Sequence, residues 1–555
     1  MKTQQHAHTP TAGRVLVNAL KLHGVDRVFC VPGESYLEVL DALYDAADDI
    51  ELIVAKHEGA AAHMAEADGK LTGRPGVCMV TRGPGATHAS VGVHVAQQDS
   101  TPMVLFVGQV ARGDVGRDVF QEVDYLAMFG KMAKWVVEIH DPARMAETVA
   151  RAFHVAVSGR PGPVVVSLPE DMLALPSPHA AFASAPLEPV QAGERALAQA
   201  HALLASAQRP LVMVGGSSWT DGDIEALATL AARWNLPLAC TFRRQDLVDN
   251  RLPQYVGHLS LGMNPALSRM VQDADVILAL GTRITDTATD GYTLMRPPQP
   301  AQTLIHIHAS AEDLGRVFRP DVAMAVRPGV AALALSALPA PAVRPWDAWT
   351  AEARRSFEAF GEAPARVPEA SGVDLAVAMR HLRATVGDDA IVTNGAGNYA
   401  IWLHRFFEYR QPRTELASTC GAMGYGLPAA VAAALRHRDR DVVCVAGDGC
   451  FLMYPQELAT AAQHGVKLLV LIVNNGMYGT IRMHQEREFP RRVSGTTLAG
   501  PDYVALAKSF GAHAQRVTST EEFPAALARA RESAGLAVLE LVTDPKQISP
   551  GMRLA

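Results

Sequence analysis

The stretch DVVCVAGDGCFLMYPQELATAAQHGVKLLVLIVNNGMYGTIRMHQ, residues 441–485, limits what this chain can fold into more than any other. Residues 441–446 form a short β-branched run that stops at Gly447-Asp448-Gly449, the pattern of a buried parallel strand ending in a tight loop. A helix is expected over about 455–464, and 467–473 is a second apolar run of strand length that ends at Asn474-Asn475-Gly476. The unit therefore reads as strand, crossover helix, parallel strand, with both strand ends on one edge. Asp448 and Asn475 become neighbours at the carboxyl ends of two parallel strands, where open α/β sheets bind ligands.

An Asp carboxylate and an Asn carbonyl are hard oxygen donors. They are too few to cage calcium, but they suit a magnesium ion whose remaining positions go to phosphate oxygens. The plain alternatives are a helix cap at Asp448 and an ordinary turn at Asn474-Asn475. Either half alone reads that way; the two together favour a diphosphate site.

Gly-Asp-Gly followed by Asn-Asn at this spacing resembles the diphosphate-binding motif of the thiamine diphosphate enzymes. Residues 56–66, KHEGAAAHMAE, resemble the segment that carries the activating glutamate of that family. RGPGAT at 82–87, DVFQE at 118–122, GRPGPVVVSLP at 159–169 and GAMGYGLP at 421–428 resemble the acetolactate synthase branch, of the large or catalytic subunit type.

Composition agrees with such a chain. At 555 residues, with 49% apolar and 19% charged residues, it is long enough for about three domains. A net charge of −7 gives no nucleic-acid footprint. The polar amino terminus lacks the apolar core of a signal peptide, and no run reaches membrane-spanning length, so a cytoplasmic protein without a membrane partner is expected. Six scattered cysteines lack metal-site spacing and read as buried thiols.

Strand-like runs at 27–31, 51–55, 77–81 and 103–107 alternate with helical segments, and a second series lies at 210–214, 236–241, 276–280 and 303–307. Linker-like composition at 175–193, at 338–345 and again at 361–372 marks the boundaries. The expected fold is α/β, three doubly wound parallel-sheet domains over 1–175, 193–338 and 372–555. By resemblance these are the pyrimidine-binding, central and diphosphate-binding domains.

The resemblance also implies roles. Glu58 would hydrogen-bond the pyrimidine ring of the cofactor, although a glutamate opening a helix also simply complements the dipole. Gln121, after Phe120, would face the reacting carbon. Gly395, Ala396, Gly397, Gly447, Gly449 and Tyr478 would line the cofactor cleft, with Met423 as the bulky residue beneath it. Asp448, Asn475 and the carbonyl of Met477 would hold magnesium. FAD is left open for the central domain, where GTRITD at 281–286 resembles a synthase segment.

Several positions depart from the synthase pattern. Glu34-Ser35 replaces a Gly-Ala pair and resembles a decarboxylase loop with a proton-transferring carboxylate; Glu34 is read equally well as a solvated loop acid. Glu170 stands for a lysine, Thr480 for a methionine, His484 for a tryptophan and Asn398-Tyr399 for a Gln-His pair. Ser35, Phe120, Thr480 and His484 would shape a substrate pocket with a more polar acceptor side. The implied activity is decarboxylation of a 2-oxo acid with transfer of the acyl carbanion to a second carbonyl, in a homo-oligomer whose active site lies at a subunit interface. The alternatives are a decarboxylase that releases an aldehyde, and a noncatalytic cofactor-binding regulatory subunit.

Overall fold

The computed structural model describes residues 9–185, 188–362 and 370–554. The first eight residues of the polar amino terminus, two residues of the 175–193 linker and most of the 361–372 boundary lie outside the described residues.

Three six-stranded sheets, parallel throughout, organise the chain. The first contains β1 (Arg27–Cys30), β2 (Glu51–Val54), β3 (Gly76–Val80), β4 (Met103–Gln109), β5 (Trp135–Glu138) and β6 (Pro163–Pro169), in the order 2-1-3-4-6-5. The second contains β7 (Pro210–Val214), β8 (Leu238–Thr241), β9 (Tyr255–Leu259), β10 (Val276–Leu280), β11 (Thr303–His308) and β12 (Val322–Ala325), in the order 12-11-10-7-8-9. The third contains β13 (Ile391–Asn394), β14 (Glu415–Ala417), β15 (Val442–Gly447), β16 (Leu468–Asn474), β17 (His513–Val517) and β18 (Leu536–Val542), in the order 14-13-15-16-18-17. A short antiparallel pair, β19 (Gln547–Ser549) and β20 (Met552–Arg553), closes the chain.

Parallel strands covered on both faces must be apolar on both faces, and every residue of β4 and β15 is buried. The expected strands are all present, with ends shifted by at most two residues. One local expectation fails. The tight loop after β15 is a helical turn, Asp448–Phe451, and the following helix is shorter than expected, Glu457–Gln463.

The chain forms two compact units, one running to Leu187 together with Val431–Arg436, the other comprising Glu188–Ala430 and His437 onward. The first unit is built on the first sheet. Its helix Glu58–Thr72 shows little amphipathic pattern because most of it is buried, and it packs closely on helix Pro84–Asp99: a Cβ at Gly92 would lie 2.4 Å from that of Ala62. The second unit holds the other two sheets, joined by buried polar contacts. Arg243 Nη2 donates to the Gly395 carbonyl (2.8 Å), and the Gln245 amide donates to Glu415 Oε2 (2.7 Å).

The strand order reverses between β1 and β3, between β7 and β10, and between β13 and β15; the first and third sheets reverse again at their far edges, β6–β5 and β18–β17. The crevices beyond the carboxyl ends at these switch points are where ligands bind in doubly wound folds.

Candidate active site

At the switch point of the third sheet, β13 runs out into Gly395-Ala396-Gly397 and β15 into Asp448. Asp448 is 3% exposed. Its Oδ1 accepts the Gly449 N–H (2.8 Å), and its Oδ2 accepts the Gly476 N–H at the end of β16 (2.9 Å). Burial pushes this carboxyl above its ordinary range, against the pull of those amide donors. Asn475 Oδ1 accepts the Met477 N–H (3.2 Å), and Asn474 donates to Glu540 Oε1 (2.8 Å) while its Oδ1 shares the Gly476 N–H (3.1 Å) with Asp448. Thus the carboxylate and the amide of the motif are fixed side by side.

A cavity of about 450 Å³ opens beside them. Ala396, Gly397, Met423, Gly447, Asp448, Gly449, Asn475, Met477 and Tyr478 all line it. Gly395 is absent from that lining; it backs onto Cys450, whose sulfur would lie 2.4 Å from a Cβ at that position. Met423 packs on the core of the third sheet from a loop whose next residue, Gly424, has φ +84°, a conformation a bulkier residue resists. Carboxylate and amide oxygens at the head of a cavity bordered by glycine backbone are a donor set that fits a hard divalent cation carrying phosphate.

By resemblance Tyr399 stands in the sequence for the histidine of a Gln-His pair, and the structure gives its side chain a packing role. Its ring lies against Gly397 and Gly447, where a Cβ would come within 2.7 and 2.8 Å of it, and its hydroxyl accepts the Gly395 N–H (3.1 Å). Only the folded backbone reveals that a tyrosine there fills the space left by two glycines.

The first unit carries the other candidates. Glu58 opens its helix with a side chain 15% exposed, and its Oε2 lies 2.9 Å from Nδ1 of His88. The His57 ring lies 4.6 Å from that of His88, tilted by 31°, and caps the helix by accepting the Gly59 N–H (3.0 Å). Neither histidine was singled out in the sequence, because His88 lies thirty residues on from Glu58 and meets it only through helix packing. Gln121 has φ +67° and sits against Gly83, whose own φ is +60°; its buried Oε1 has no hydrogen-bond partner. A buried acceptor without a protein partner, next to Gly83 at the start of helix Pro84–Asp99, is a group able to take a ligand's donor.

The remaining pocket candidates divide. Ser35 is fully buried and spends its hydroxyl on Thr81 Oγ1 (2.8 Å) and the Arg82 N–H (3.3 Å), so it offers nothing to a substrate. Phe120 is exposed. Glu34, 59% exposed, lies 3.7 Å from Arg82, and Arg82 also pairs with Glu170 at 2.6 Å. Two departures from the synthase pattern therefore meet on one guanidinium. Thr480 lines the cavity of the second unit, whereas His484 is exposed and outside that lining. One turn of helix Gly479–Glu488 separates the two residues, and Met483 takes the buried position beside Asn398.

The fold is doubly wound α/β, and the residues at the third sheet's switch point are a donor set that fits a diphosphate with its cation. Three family models match: the thiamine pyrophosphate enzyme amino-terminal TPP-binding domain over residues 10–128, the central domain over 197–338 and the carboxyl-terminal TPP-binding domain over 395–541. The chain is 34% identical to the acetolactate synthase large subunit of Parasynechococcus marenigrum (strain WH8102) over 95% of its own length and 86% of the relative's. It is 32% identical to the acetolactate synthase isozyme 2 large subunit of Escherichia coli (strain K12), over 95% of both chains. It is 30% identical to the mitochondrial acetolactate synthase catalytic subunit of Saccharomyces cerevisiae (strain ATCC 204508 / S288c), over 97% and 81%. The chain belongs to the thiamine pyrophosphate enzyme family, with relatives that are acetolactate synthase large subunits. Among the described residues, no helix is long and apolar enough to cross a membrane.

Proposed function

We propose that this chain is a thiamine diphosphate- and magnesium-dependent carboligase, which decarboxylates a 2-oxo acid and joins the remaining acyl group to a second carbonyl. The observation that carries this reading is the pairing of Asp448 with the Gly476 amide, which holds a carboxylate beside Asn475 at the head of a glycine-bordered cavity. Residues 1–175, 193–338 and 372–555 would serve as pyrimidine-binding, central and diphosphate-binding domains.

In this reading Asp448, Asn475 and the Met477 carbonyl hold magnesium, and the backbone around Ala396, Gly397 and Gly449 admits the diphosphate. Met423, on the cavity wall, would pack against the cofactor. When bound, the cofactor supplies the electron sink that lets carbon dioxide leave. Glu58 holds a proton at a ring nitrogen, and general acid–base work of this kind contributes about 10²–10⁴ in rate. Gln121, with its unpaired Oε1, faces the donor substrate. The reaction is redox-neutral, so FAD enters no step. The family resemblance supports a homo-oligomer in which the amino-terminal domain of one subunit completes the site on the carboxyl-terminal domain of another.

A second reading, decarboxylation ending in aldehyde release, keeps one observation in its favour: Glu34 is exposed just beyond the carboxyl end of β1. Product analysis after feeding pyruvate, with and without an aldehyde acceptor, decides between them. A coupled product is expected. Acetaldehyde as the sole product overturns the carboligase, and no turnover with cofactor and magnesium overturns both readings.

A further inference from the structure

Glu58 and His88 meet through the packing of two helices. Glu58 opens helix Glu58–Thr72, and His88 lies near the start of helix Pro84–Asp99. Four residues on in each helix, on the same two faces, stand Ala62 and Gly92, and a Cβ on Gly92 would lie 2.4 Å from the Ala62 Cβ. So close a contact fixes the spacing of the helices one turn beyond the pair. Rigid elements therefore carry the imidazole to the carboxylate, with His88 Nδ1 2.9 Å from Glu58 Oε2.

That bond divides the work of the two carboxylate oxygens. Oε2 is held by His88, whereas Oε1 lies beside Gly85, where a Cβ would stand 3.6 Å from it, and takes no hydrogen bond among the described residues. The other titratable groups that act on Glu58 stay out of proton exchange. Burial pushes the Tyr36 hydroxyl and the Cys78 thiol up, with the charge of Glu58 adding to both, so each keeps its proton. Burial, and then His88, pushes His57 down, so it is neutral, and its Nδ1 is engaged by the Gly59 N–H. Lys56 is exposed and donates from Nζ to the Val54 carbonyl (3.2 Å). His88, with its side chain half exposed, is the neighbour of a type that trades protons near neutral pH.

We propose that His88 is a positioning residue for Glu58: it holds Oε2, leaves Oε1 as the oxygen that meets the cofactor ring and, when protonated, weakens the carboxylate as a proton acceptor. This role rests on the chemistry given to Glu58 under the proposed function and adds the second member of a pair to it. With His88 neutral, its Nδ1–H donates to Oε2, and the carboxylate keeps its charge for the proton at the ring nitrogen. With His88 an imidazolium, a full positive charge sits against the same oxygen, and an opposite charge at that range favours the ionised carboxylate over the protonated one. Glu58 then holds the ring proton less well, so activation slows as pH falls.

The test follows hydrogen–deuterium exchange at C2 of thiamine diphosphate bound, with magnesium, to the full chain. His88→Ala frees the carboxylate to swing and should slow exchange by about 10- to 100-fold, the scale of a misplaced group, while calorimetry still shows cofactor binding. His88→Asn keeps an N–H for Oε2 but takes no proton. It should recover most of the rate at about pH 8 and flatten the fall that the wild type shows toward about pH 5, the span over which histidines titrate. A merely structural histidine would leave the profile of the Asn variant parallel to wild type, and that result overturns the proposal. Histidine-selective nitrogen NMR of the cofactor-free protein reads the pair without any chemistry: the His88 Nδ1 signal should move in Glu58→Gln, and an unmoved signal overturns the pairing. Glu58→Gln also separates the two readings. If it slows exchange while both His88 variants match wild type, the role of His88 fails and that of Glu58 stands; if Glu58→Gln itself exchanges at the wild-type rate, both fall.

Discussion

The first and third sheets share one strand order, yet the edges built on them carry opposite chemistry. Beyond β1 and β3 the edge is occupied by long charged side chains, Arg82 between Glu34 and Glu170, with Glu58 and Gln121 on the neighbouring elements. Beyond β13 and β15 it is bare backbone and short oxygens, with Asp448 and Asn475 locked by amide donors. Topology supplies the same crevice twice. On the proposed function the reach of the side chains would decide its use, since a phosphate with its metal needs close backbone approach, whereas proton transfer needs a side chain that reaches the reacting atom. Buried acids show the same contrast. Glu66 and Asp99 in the first unit pair with Lys70, while the carboxyl of Glu415 on β14 is pushed up to about 8 by burial and by the neighbouring Asp246.

The comparison breaks most sharply at Glu58. If the first edge does proton work, Glu58→Gln slows hydrogen–deuterium exchange at C2 of the cofactor by about 10²–10⁴ while the cofactor still binds. NMR-detected exchange at the wild-type rate would remove Glu58 from the chemistry. The third edge should respond in the opposite way. Asp448→Ala loses a charged ligand, which costs about 3 kcal/mol or on the order of 100-fold in thiamine diphosphate affinity by calorimetry, with the fold intact. Unchanged affinity would mean that the two edges do not differ as described.

The contrast between the buried acids is sharpened by pH. Glu415 keeps its proton in the folded chain until about pH 8 but loses it near pH 4.5 when unfolded, so the folded state binds the extra proton between those values. Stability therefore falls as pH rises through that window and levels off above it. Glu415→Gln should flatten the fall in urea-denaturation midpoints between pH 5 and 8, and parallel curves for the two proteins would show that Glu415 is ionised when folded. The smallest effect is expected at Glu34. An exposed carboxylate paired with Arg82 is worth about 0–1 kcal/mol, so Glu34→Gly should shift products from aldehyde toward the coupled ketone by a few-fold at most. Chromatography with an unchanged ratio would make Glu34 a bystander.

What the sequence by itself determined were features written in local order: the apolar runs that became strands, the crossover that made Asp448 and Asn475 neighbours, and the glycines beside them. Each rests on contacts between residues joined by one short connection, or on a backbone requirement that a single residue type satisfies. Tertiary structure decided what long-range partners consume. Ser35 read as a pocket residue until Thr81 and the Arg82 amide took its hydroxyl; Thr480 read as polar until Asn398, 82 residues away, satisfied it. His484 read as an acceptor-pocket residue, and the phase of its helix puts Met483 inward and leaves the histidine exposed on this chain. His88 drew no notice until two tightly packed helices set it against Glu58. A polar side chain states in the sequence what it can bond to, but only the fold says whether that capacity is already spent, because in a buried site the partner that arrives first removes it from the chemistry.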